Sequence, residues 1–158
     1  MKITTQVEIR LTEDENKVLK ALYNIFTPEK IETIEEETRK IIIAYSTNIN
    51  SLQKLKELIK KSYILDAARK VIRSAPQFKQ GIITFYLNKQ AAYMGKISFS
   101  APEKESALGP IKITVETNDP YEFLDWIAPK SKEVQQQELE HEKKITQSDL
   151  KSNKSFDT

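Results

Sequence analysis

The chain has 158 residues, no cysteine and a formal net charge of +2, with 39% hydrophobic and 30% charged residues. That is enough for one packed domain and an appendage, and it excludes disulfides and thiolate metal sites. No apolar run approaches the ~20 residues of a membrane-spanning helix.

The first ten residues, MKITTQVEIR, lack the apolar middle of a signal peptide, so a cytoplasmic protein is expected. They alternate instead. Ile3, Val7, Ile9 and Leu11 point one way with Thr5 among them, and Lys2, Thr4, Gln6, Glu8 and Arg10 point the other. This predicts a strand with one wet face. Thr12-Glu13-Asp14-Glu15 reads as a capping box, and Val18, Leu19, Leu22, Ile25 and Phe26 follow at helical spacing until Pro28. Ile31, Ile34 and the run Ile41 to Tyr45 predict a hairpin that turns near Glu37-Thr38-Arg39.

Asn50 or Ser51 can cap the next helix, with Leu52, Leu55, Leu58 and Ile59 as its stripe. The phase breaks at Ser62-Tyr63, and Ile64, Leu65, Ala68, Val71 and Ile72 form a second stripe. Two consecutive helices are expected. Ile82 to Leu87 predicts a strand and Ile97 to Phe99 another, with Asn88-Lys89-Gln90 as an unusual interruption that lacks the glycine of a tight hairpin. Ile111, Ile113 and Val115 give a last strand. Asp119-Pro120 starts a helix that Pro129 stops. Residues 130–158 hold one aromatic side chain, Phe156, and balanced charges. They predict a polar tail, helical at most around 132–145.

The order β-α-β-β-α-α-β-β-β-α predicts a single α+β domain over residues 1–129, an antiparallel or mixed sheet with helices on one face. Few glycines and many Lys, Glu and Ile suit a thermophile.

The catalytic inventory is thin. His141, the single histidine, lies in the tail, and no phosphate-binding glycine loop occurs. No cofactor, metal or catalytic residue is expected. Glu35-Glu36-Glu37 reads as the solvated edge of a hairpin, since neighbours in a strand point to opposite faces. Asp66, Arg69 and Arg73 share a helix face and suit either a phosphate or an ordinary ion pair. The charge is uneven. Residues 50–96 carry Lys54, Lys56, Lys60, Lys61, Arg69, Lys70, Arg73, Lys79, Lys89 and Lys96 against Glu57 and Asp66, a net +8, so the rest of the chain sums to −6. Such a basic segment can track a nucleic-acid backbone. Tyr63, Tyr86 and Tyr93 within it offer rings for stacking, although packing is the commoner fate of a tyrosine.

The blocks ILDAARK (64–70), FYLNKQAAYMGKISF (85–99), LGPIKITVETNDP (108–120) and FLDWIAP (123–129) resemble a small uncharacterised archaeal family. The resemblance covers residues 1 to about 130. It implies a ribosomal-protein L-five-like fold, similar to the large-subunit protein that binds the small ribosomal RNA of that subunit. It also implies a homodimer, and nucleic-acid binding without an established enzymatic activity. Asp66, Arg69, Asn88, Lys89 and Gln90 match characteristic positions without a defined role.

The expected function is therefore a non-enzymatic RNA-binding or ribonucleoprotein-associated homodimer with no membrane partner. Lys61, Arg69, Lys70, Arg73, Lys79 and Lys89 would meet phosphates, and Asn88 and Gln90 would read base edges or 2′-hydroxyls. Two alternatives are a small-molecule enzyme or sensor, with Asp66, Arg69, Asn88, Lys89 and Gln90 in one pocket, and a protein-assembly module.

Overall fold

The computed structural model describes residues 1–101 and 109–130, together with Lys143. Alternation makes β1 (Lys2–Arg10), and its odd-numbered side chains Ile3, Val7 and Ile9 are buried. Helix α1 (Glu15–Ile25) follows. Its cap is Asp14, whose carboxylate accepts from the Asn16 N–H at 2.9 Å, and not the expected Thr12. Glu13 takes a separate role, described below.

Strands β2 (Lys30–Glu35) and β3 (Arg39–Ser46) form the expected hairpin. A 3-10 turn, Ile49–Leu52, is capped by Asn48 and leads into α2 (Gln53–Lys61). The predicted break at Ser62-Tyr63 separates α2 from α3 (Leu65–Arg73). After the 3-10 turn Phe78–Gln80 comes β4 (Ile82–Leu87).

The interruption Asn88-Lys89-Gln90 proves to be a helix start and not a turn. Asn88 caps α4 (Lys89–Tyr93) by accepting from the Ala91 N–H at 2.9 Å. The expected strand at 97–99 is reduced to one bridge between Phe99 and Leu87. Strand β5 (Ile111–Glu116) and helix α5 (Pro120–Ile127, capped by Asp119) match expectation. The tail, with His141, falls outside the described residues apart from Lys130 and Lys143.

The five strands make one sheet in the order β2-β3-β1-β5-β4, every pair antiparallel. Its inner face presents Ile42, Ala44, Ile83, Phe85, Leu87, Ile111, Ile113 and Val115 to Leu22, Ile25, Phe26, Leu55, Ile59, Ile72 and Phe123. Burial of each such side chain contributes about 1.5–3 kcal/mol before chain entropy is counted. The helices therefore cover one face, and the other stays open. On the open face Ile41, Ile43 and Tyr45 of β3 are half-buried, and Ile34 of β2 is 45% exposed.

The join between β4 and β5 depends on Gly81. Its φ is +84°, and a side-chain carbon there would sit 2.1 Å from the Thr117 carbonyl oxygen. No other residue fits this turn without moving the start of β4 away from the end of β5.

Candidate nucleic-acid interface

Amphipathic helices turn one stripe to the core and the rest to solvent, and here the solvent side is basic. Helices α1, α2 and α3 carry Lys17, Lys20, Lys54, Lys56, Lys60, Lys61, Arg69, Lys70 and Arg73 against Glu15, Glu57 and Asp66. The acids gather on the β2–β3 hairpin instead. There Arg39 pairs with Glu36 at 2.7 Å and Lys40 with Glu35 at 3.6 Å. Glu35-Glu36-Glu37 is thus an exposed edge, two of its carboxylates tied to neighbouring cations.

Five of the expected contact residues are exposed. Lys61 ends α2, Lys70 and Arg73 lie three apart on α3, Lys79 sits in the turn before β4, and Gln90 is the second residue of α4. Lys70 and Arg73 line a cavity of about 480 Å³ with Asp66, Arg69 and Ser74.

The other three are engaged in the fold. Arg69 leaves its own helix and meets Asp125 of α5 at 2.6 Å, also donating to the Ala128 carbonyl at 3.2 Å. Its guanidinium, 14% exposed, pins α3 to α5. The side-chain carbonyl of Asn88 is occupied by its cap.

Lys89 corrects the sequence expectation outright. It is 3% exposed, donating to the Glu8 carbonyl at 2.6 Å and to both Glu13 carboxylate oxygens at 3.1 Å. All three ammonium protons are used, so no phosphate can reach it. Burial pushes the Lys89 ammonium below its ordinary range, and the neighbouring Glu13 carboxylate opposes that shift.

The five family-characteristic residues do not converge. Asp66 and Arg69 line the α3 cavity, whereas Lys89 and Gln90 line a separate, mostly apolar one of about 460 Å³ beside Val18, Tyr93 and Met94. Sequence reasoning missed Lys17 and Lys20 because they precede the basic segment, although helical neighbours bring them to the same layer.

Residues 2–117 match a family model described as RNA binding. A UPF0201 protein of Sulfurisphaera tokodaii is 48% identical over 130 residues, 82% of this chain and 88% of that protein. This chain belongs to the UPF0201 family. A crystal structure of a UPF0201 protein from Methanococcus jannaschii matches with a TM-score of 0.68 at 30% identity, covering 83% of this chain and 95% of that one. A second UPF0201 crystal structure matches at 0.67 and 41% identity, over 84% and 96% of the two chains. The UPF0201 relatives thus share the described domain.

Proposed function

We propose that the protein binds structured RNA through the solvent side of α1, α2 and α3, without catalysing a reaction. One observation carries this reading: with Arg69 set aside as the partner of Asp125, eight basic side chains stand against three acidic ones on three adjacent helices, in a chain whose family model is described as RNA binding. Lys61, Lys70, Arg73 and Lys79 meet phosphates, and Gln90 is left as the side chain able to read a base edge or 2′-hydroxyl. Arg69 shapes the α3 cavity from behind.

The working unit is a homodimer. The open sheet face suits a second copy at its β1–β3–β2 end, where charges are paired within the sheet: Arg10 and Arg39 lie 3.4 Å from Glu8, and Lys30 lies 3.0 Å from Glu32. Ile34, Ile41, Ile43 and Tyr45 supply apolar area. Docking there leaves both basic layers outward.

The test is binding to a structured RNA across a salt series. The logarithm of affinity falls linearly with that of salt, and each lost phosphate contact lowers the slope by about one. Lys70→Glu with Arg73→Glu lowers it by about two while the circular dichroism spectrum is kept. Salt-independent affinity, or none at low salt, defeats the reading.

A further inference from the structure

At the end of α2 the Tyr63 N–H bonds the Lys60 carbonyl at 3.2 Å and the Ile64 N–H bonds the Ile59 carbonyl at 3.4 Å. This pair of bonds requires a left-handed residue between them, and glycine is its ordinary occupant. Here the residue is Tyr63, with φ +58°, the one non-glycine positive φ among the described residues. A side chain with a Cβ is strained in that conformation. Packing does not compensate. Ile64 and Leu65 turn inward against the core, whereas Tyr63 is 95% exposed, the most exposed large hydrophobic side chain described. The ring therefore brings the fold neither burial nor an easy backbone. Strain kept without a structural return points to function.

The surroundings say which function. Lys60 and Lys61 lie three and two residues before the ring, both exposed, and neither makes an ion pair among the described residues. An uncovered aromatic face beside free ammonium groups is the combination that holds an unpaired nucleobase and its phosphates. We propose that Tyr63 is a base-stacking residue: an unpaired base of the RNA lies on its ring while Lys60 and Lys61 meet the flanking phosphates. The inference rests on the RNA-binding reading and adds that the RNA has a single-stranded element at the α2–α3 turn.

Tyr63→Gly separates stacking from folding, because glycine adopts this turn without strain and its variant stays folded. The full chain and its Tyr63→Gly and Tyr63→Phe variants are titrated with a single-stranded oligoribonucleotide and with a blunt RNA duplex of equal length. Stacking on one aromatic ring changes affinity roughly 5- to 150-fold. Tyr63→Gly is expected to lose that much on the single strand and little on the duplex, and Tyr63→Phe to match the parent. Equal single-strand affinity of the parent and Tyr63→Gly overturns the stacking role alone. Failure of the parent to bind either RNA overturns the RNA reading and this inference together.

Discussion

Lys89 places an ammonium group among core side chains and surrounds it with acceptors, its side chain 4% exposed and that of its partner Glu13 7%. Removing one member of such a pair leaves an uncompensated charge, which costs about 3–5 kcal/mol. Lys89→Ala is accordingly expected to lower the unfolding free energy by about that amount, measured by urea denaturation. Lys89→Met combined with Glu13→Leu should recover most of the loss, since no charge then stays buried. A single variant as stable as the parent would show that Glu13 can reach water. None of this is legible in the sequence. Lys89 and Glu13 lie 76 residues apart, and Arg69 and Asp125 lie 56 apart. Locally each looks like a solvated charge. Glu13, read in the sequence only as part of the Thr12–Glu15 capping pattern, escaped for the same reason, because the short range is where sequence reasoning looks first.

Elements were more legible than residues. Period-two alternation located β1 and β5, a short apolar run located β4, and apolar stripes located α1, α2, α3 and α5, because burial is written directly into spacing. Asp119-Pro120 marked α5 to the residue. Helix α4 escaped because its span, Lys89–Tyr93, is too short to show a period, and the strand expected at 97–99 had only two apolar positions to suggest it. The β2–β3 hairpin carries its own lock. The Glu29 carboxylate accepts from the Thr47 N–H at 3.2 Å and the Ser46 hydroxyl at 3.1 Å. These bonds, the Thr47 N–H foremost, hold its pKa below the ordinary value of 4.5. A carboxyl depressed on folding stabilises the native state above its unfolded pKa and loses that contribution as pH falls through the folded one. Glu29→Gln should thus lower the melting temperature at neutral pH, and the difference from the parent should close below pH 4.5. A difference that persists unchanged in acid would mean that the charge of Glu29 contributes nothing.

At the scale of the molecule, charge is partitioned: basic helices on one side, and on the other an open sheet where Glu8 and Glu32 pair with cations of β1, β2 and β3. The sequence showed the imbalance as a basic segment but could not show that α1 joins it, since that is decided by packing. It showed the wet face of β1 but not how much apolar area β3 adds beside it. The proposed dimer follows from that second surface. Ile43→Glu puts a charge at its centre and should convert a dimer to a monomer in sedimentation velocity, with the fold intact. A parent chain that sediments as a monomer at every concentration would remove the dimer and leave the RNA surface untouched.

The central place of β1 also orders events in time. Ile3 stands opposite both Ser46 and Val115. One edge of β1 can close soon after the ribosome has made the hairpin, whereas the other waits for nearly the whole domain to emerge. Pairings this distant in sequence are slow, because the loop between them must be closed first. The strand synthesised first is thus the last to be completed, and through most of translation its second edge offers unpaired backbone to any passing chain.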